Sequence, residues 1–259
     1  MHPIFLRLGG FPIHTYGVLV ALGFLAGLGV AAARARKAGM APEQINDLGV
    51  WLILTGMAGG KLFHIVFFWP DFLAGWRAEG LASLREGFVF YGGFITASLA
   101  TVVYTRRKHL PLMKVADLLA PGVALGHLFG RLGCFFNGCC FGKPCSLPWA
   151  VDFPAPHPLH GIPVHPTELY EAAGNLLIFC GLLGWERRKR FDGQVWWLYV
   201  LSYGILRFVV EFFRGDYPTY YLGWFTLGHA IAAVMILLAL GALMFCHRGS
   251  KRPVSRGAG

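Results

Sequence analysis

The chain has 259 residues, 56% of them hydrophobic and only 14% charged, with a formal net charge of +10. That balance excludes a water-soluble globular domain and implies an integral membrane protein. The positive charge is no argument for nucleic acid, because the lysines and arginines are scattered over short loops, where they suit anionic lipid headgroups.

Seven windows are apolar enough to cross a hydrocarbon layer of roughly 30 Å, which takes about 20 residues each. They are about 15–33, 48–69, 88–105, 116–136, 168–185, 194–213 and 222–246, the fourth interrupted by Pro121 and several glycines. Residues 1–12 lack a basic segment before a short apolar core, so the first window reads as a retained helix and not a cleaved signal. After windows one, three, five and seven come Arg34, Arg36, Lys37; Arg106, Arg107, Lys108, Lys114; Arg187, Arg188, Lys189, Arg190; and Arg248, Lys251, Arg252, Arg256. The other side carries Arg7, Arg77, Arg85 and Lys143. The positive-inside rule then predicts an all-α membrane protein of seven transmembrane helices, with the N-terminus outside and the C-terminus cytoplasmic. We expect one polytopic domain over 1–259, with an irregular, proline-rich extracytoplasmic segment at about 137–166. No internal repeat is visible, which weighs against a transporter built on inverted halves.

In chain order, the first polar signal is Tyr16-Gly17, where an interfacial tyrosine has purely physical reasons to sit. Lys61 and His64 make a polar pair in the second window. Tyr91-Gly92-Gly93-Phe94 opens the third, and its glycines admit either a ligand headgroup or an ordinary close helix contact. His127 stands one turn before Arg131, and a lone membrane histidine is more often a hydrogen-bonded packing residue than a base. Arg131 is the second residue of the run GRLGCFFNGCCFGKPC at 130–145. A charge at the centre of a spanning helix costs about 2.5 kcal/mol or more, so Arg131 is expected to bind an anionic group. In His165-Pro166-Thr167-Glu168-Leu169-Tyr170-Glu171 proline starts a helix, and both glutamates sit where they can cap it, orient an arginine or receive a proton. Arg207 and Glu211 are four apart on one helical face, with Arg214 a turn further and Asp216 beyond. That pair alone reads equally as a structural clip. Two arginines from different helices make a phosphate site, because guanidinium forks match phosphate oxygens, and a phosphate embedded in a membrane means a phospholipid.

The four cysteines Cys134, Cys139, Cys140 and Cys145 allow a rival reading. They would suit a membrane thiol–disulfide or metal-binding redox protein, the metal case needing His157, His160 or His165. No C-x-x-C pair occurs, and adjacent Cys139 and Cys140 are expected to serve one tetrahedral ion poorly.

Taken together, Tyr16-Gly17, Tyr91-Gly92-Gly93, the Gly130-Arg131-x-Gly133 run ending at Gly142, His165-Pro166-x-x-Leu169-Tyr170-Glu171 and Arg207-x-x-x-Glu211 resemble the bacterial prolipoprotein diacylglyceryl transferases. Nearly the whole chain takes part in the likeness, with the motifs in family order. The resemblance implies a multi-pass enzyme of the bacterial cytoplasmic (inner) membrane. It implies transfer of a diacylglyceryl group from phosphatidylglycerol to the lipobox cysteine of a preprolipoprotein, releasing glycerol phosphate. It implies catalytic roles for Arg131, Arg207, Glu211, Tyr91 and Tyr16, and substrate contacts by Arg131, Arg207, Gly92, Gly93, Asn137, Gly142, Glu171 and Arg214. Neither a metal nor a cofactor is expected, and the partners are the phospholipid, the lipobox segment and membrane lipids, with no nucleic acid. A well-studied form of the family has histidine in place of Tyr91, and asparagine and glutamate in place of Cys134 and Cys139. The resemblance therefore does not name the base.

Overall fold

The computed structural model describes residues 3–9, 11–85, 87–216 and 225–250. The chain opens with strands β1 (Ile4–Leu8) and β2 (Phe11–His14), an antiparallel pair turned at Gly9, which takes a positive φ of 61°. Helices then follow: α1 (Thr15–Lys37), α2 (Pro42–Phe67), α3 (Trp69–Glu79), α4 (Phe90–Arg107), α5 (Leu112–Asn137), α6 (Thr167–Trp185), α7 (Gln194–Glu211) and α8 (Leu227–Ser250). A helix of 18 or more residues lies under each of the seven apolar windows. Residues 222–224 of the last window, and Lys251, Arg252 and Arg256, lie outside the described residues.

Four of these helices, Thr15–Lys37, Pro42–Phe67, Leu112–Asn137 and Leu227–His247, are long and apolar enough to cross a membrane on length and composition. Their flanks turn large apolar side chains outward, among them Leu25, Met57, Leu237 and Phe245, the last 80% exposed. Such surfaces suit lipid and not water. The hairpin and α3 were not expected from the sequence, because a search for spans of about 20 residues passes over short elements. Helix α2 stops at Phe67, short of the expected residue 69, and Pro70 lies in the first turn of α3, where its missing amide costs nothing. Pro121, expected to interrupt the fourth window, lies inside a continuous α5.

The chain divides into two compact units, Met1–Ala31 with Ala116–Gly259, and Ala32–Val115. In the second unit α2 packs on α4 through small residues: a Cβ at Gly92 would meet Phe63 and the Gly59 carbonyl, and one at Gly93 the Gly56 carbonyl. Thr96 seals the contact by donating to the Thr55 carbonyl at 2.7 Å. In the first unit Ala120 and Ala124 of α5, Leu182 of α6, and Val195 and Tyr199 of α7 form a buried core, and α8 packs on α7. The buried Asp117 carboxylate accepts the N–H groups of Gly193 and Trp196 at 2.7 and 2.8 Å, so one helix caps the orphan amides at the start of another. Lys189 pairs with the same carboxylate at 2.9 Å. Burial pulls the Lys189 ammonium down, but Asp117 and Asp192 outweigh it and hold the group above its ordinary value.

Gly27 of α1 and Gly122 of α5 touch backbone to backbone, and a Cβ on either would collide with the other's carbonyl. Gly122→Leu should therefore destabilise the chain by about 1–3 kcal/mol, the usual range for overpacking. Thermal unfolding in detergent checks it: a melting temperature equal to the parent's would mean the two helices part there at no cost.

Candidate active site

Glu171 lies on the second turn of α6 and is 1% exposed. Its Oε2 pairs with Arg131 Nε of α5 at 2.8 Å, and its Oε1 accepts from Arg207 Nη1 of α7 at 3.2 Å. Three helices thus meet on one carboxylate. Arg207 Nη2 also pairs with Glu211 Oε2, one turn along α7, at 2.7 Å. Glu211 is buried in turn, and its Oε1 accepts from the Thr226 hydroxyl at 2.5 Å. Thr226 lies 3.1 Å from the buried His229 Nδ1, and Gly228 leaves room for the carboxylate, which any side chain there would displace. Thr226, Gly228 and His229 gave no signal in the sequence. They act on Glu211 from outside its own helix, so no local spacing links them.

A guanidinium has five donors in a fixed fork. Glu171 takes the Arg131 Nε, Tyr203 shares a further Arg131 hydrogen bond, and the Arg131 side chain remains 20% exposed. Carboxylates that fix two arginines before any ligand arrives leave little ordering to be done when an anion meets the guanidinium groups.

The loop after α5 is stitched to both neighbours of this site. Gly142 N–H donates to the His165 carbonyl at 3.0 Å, Lys143 N–H to the Phe213 carbonyl at 2.7 Å, and His165 N–H to the Lys143 carbonyl at 3.0 Å. A Cβ at Gly142 would strike His165 and the Phe213 carbonyl, so the close approach needs glycine. Arg214 lies beyond the end of α7, and not a turn further along it as expected, and grips Asp216 by two bonds at 2.9 and 2.6 Å. Asn137 is the exposed last residue of α5, and its side chain hydrogen-bonds Cys139.

Tyr16, on the first turn of α1, packs against Gly133, whose added Cβ would lie 3.0 Å from its ring. Glu168, one turn before Glu171, is 1% exposed, and neither of its oxygens meets a hydrogen-bond partner beyond its own residue among the described residues. Arg131, Arg214 and Cys140 all lie within electrostatic reach of it. His127 Nδ1 is 3.0 Å from the Tyr199 hydroxyl, as befits a packing histidine. In the second unit Tyr91 is 57% exposed at the start of α4, while Gly92 and Gly93 are buried at the α2 contact. Lys61 donates to the Ser83 carbonyl at 3.2 Å and lies 5.5 Å from the centroid of the Phe72 ring.

The cysteines hold a correction. The Sγ atoms of Cys134, Cys139 and Cys140 lie within 4.8 Å of one another, although adjacent cysteines were expected to serve one centre poorly. Cys140 takes φ 73°, a left-handed backbone that brings its thiol to the same side as its neighbour's. Hydrogen bonds from Cys134 and Cys139 pull the Cys140 thiol below its ordinary range, burial opposes them, and Arg131 and Arg214 add to the fall. Cys145, His157, His160 and His165 stand outside the cluster.

The family model described as prolipoprotein diacylglyceryl transferase matches residues 3–245. The chain belongs to this family. The phosphatidylglycerol–prolipoprotein diacylglyceryl transferase of Clostridium tetani is 37% identical over 217 residues, 83% of this chain and 86% of that relative. Relatives of the same name from Finegoldia magna and Geobacter sulfurreducens are 34% and 33% identical, over 88% and 97% of this chain and 89% and 97% of their own. As a member of the diacylglyceryl transferase family the chain is an enzyme of the transferase class. Nothing in these relatives supports a redox protein built on the cysteines.

Removing the shared carboxylate leaves two guanidinium groups without their common partner. We expect Glu171→Ala to destabilise the fold by about 3–5 kcal/mol, the range for breaking a buried pair. Glu171→Gln, which keeps one acceptor, should lose less. Equal melting temperatures for parent and Glu171→Ala in detergent would show that the bridge contributes nothing to stability.

Proposed function

We propose that the chain transfers the diacylglyceryl group of phosphatidylglycerol to the lipobox cysteine of a preprolipoprotein, the first step of bacterial lipoprotein maturation. It does so in the bacterial cytoplasmic (inner) membrane, through which its seven long helices pass with the N-terminus outside. The observation that carries the reading is the convergence of Arg131 and Arg207 on the buried Glu171. The names of its relatives support the same substrates.

The lipid phosphate docks against the guanidinium groups of Arg131 and Arg207, which Glu171 and Glu211 hold in place. The lipobox thiol, as thiolate, attacks the glyceryl carbon that carries the phosphate ester, because only the thiolate is a good nucleophile. A C–S bond forms, the C–O bond breaks, and the electron pair leaves on glycerol phosphate. Arg131 and Arg207 stabilise the charge that grows on the departing phosphate, with Glu211 orienting Arg207. Arg214 and Gly142 shape the loop side of the site, together with Asn137. Tyr16 hydrogen-bonds the headgroup or the incoming thiol. The thiol proton goes to Glu168: Glu171 and Glu211 are already engaged by arginines, whereas the Glu168 oxygens are not.

The direct test is incubation of the purified chain with phosphatidylglycerol and a lipobox peptide. Glycerol phosphate should appear only with the cysteine-bearing peptide, and its absence, or release from a serine peptide, would refute the transfer. In the same assay Arg207→Lys should fall about tenfold to a hundredfold, the equivalent of roughly 1.5–3 kcal/mol for charge-assisted hydrogen bonds. Full activity there would count against two-pronged phosphate binding. Glu168→Gln keeps the shape but takes no proton, so turnover should drop about a hundredfold or more while the lipid KM holds. Unchanged turnover would move the base elsewhere.

A further inference from the structure

We propose that Cys134, Cys139 and Cys140 form a three-thiolate binding site for a soft cation, Zn2+ or Cu+, beside the arginine–carboxylate site. Cys134 lies in the last turn of α5 and the other two in the loop that follows. All three Sγ atoms fall within 4.8 Å of one another. A metal bonded to sulfur at about 2.3 Å at the centre of such a triangle needs sulfurs about 4 Å apart, so the loop has little closing to do. Thiolate is the ligand type that selects these ions over hard cations.

Two features of the backbone support a built site. Gly138 and Cys140 both have φ 73°, and a left-handed non-glycine residue persists only where its surroundings impose it. Here they do: the Thr167 hydroxyl of α6 donates to the Cys140 carbonyl at 2.7 Å, and Cys139 N–H returns to the Cys134 carbonyl at 3.2 Å. The strain has one visible result, which is two neighbouring thiols aimed at one point with a third. The nearby histidines are engaged elsewhere, His157 Nε2 with the Gly138 carbonyl at 2.9 Å and His160 Nδ1 with the Phe153 carbonyl at 2.9 Å. The ion therefore takes three sulfurs and keeps an open position.

Occupancy has a consequence for the lipid site. Three thiolates around Zn2+ carry one net negative charge, and the thiol protons still bound are released as the ion enters. That charge sits one turn from Arg131 and competes with a lipid phosphate for it.

The test uses the full chain, reduced and stripped of metal, in detergent, with Cd2+ as the probe. A thiolate-to-cadmium absorption band should grow to one equivalent and then stop, and Zn2+ should displace it. Cys134→Ser, Cys139→Ser and Cys140→Ser should each weaken binding at least about tenfold, while Cys145→Ser and Cys180→Ser bind as the parent does. Should the serine variants fold poorly, Zn2+ on the parent should protect these three cysteines, and not Cys145, from alkylation read by peptide mass spectrometry. A band that survives all three variants, a band lost in Cys145→Ser, or no protection from alkylation would overturn the site.

Discussion

Glu171 holds guanidinium groups from two other helices on one buried carboxylate, and the geometry of the candidate site follows from that contact. In an apolar surround an isolated charge is costly, so each member needs the others: Arg131 without Glu171 would be an unpaired cation, and Glu171 without the arginines an unpaired anion. The same requirement propagates outward. Arg207 takes a second carboxylate, Glu211, which takes the Thr226 hydroxyl, which meets His229. The result is a chain of linked polar groups from α5 across α6 and α7 to the start of α8.

Such a chain fixes side chains that would otherwise sweep many rotamers. Both arginines are long and carry high side-chain entropy, most of which is lost on folding and not on binding. A ligand that meets them finds donors already aimed. The loop after α5 obeys the same economy of freedom: Gly142, Lys143, His165 and Phe213 interlock by backbone hydrogen bonds, so the loop is anchored to the helix ends that carry Glu168 and Arg207.

Against this network the lone Glu168 is informative. Its neighbour one turn on pairs with two arginines, while Glu168 is just as buried and forms no bridge among the described residues. A carboxylate that has no partner among the described residues contributes little to stability, and in the proposed reaction it takes the thiol proton. The thiol cluster is a second local exception, where a left-handed residue is held in place by a hydroxyl from the next helix.

The sequence by itself determined the long helices, the Arg207–Glu211 pair and the family, because hydrophobic windows, i to i+4 spacing and motif order are local properties of a chain. Arg207 and Glu211 were legible as a pair for that reason. Glu171 was visible only as one of two glutamates at a helix start, since its partners lie 40 positions before it and 36 after it along the chain. The hairpin, α3 and the continuity of α5 through Pro121 also escaped, the first two because they are short and the last because packing outweighs a local break. Only the tertiary structure decided which carboxylate bridges, which stays unpaired, and that adjacent cysteines share one point. Those outcomes depend on how helices approach one another and on one backbone angle, and neither is written in the spacing of residues.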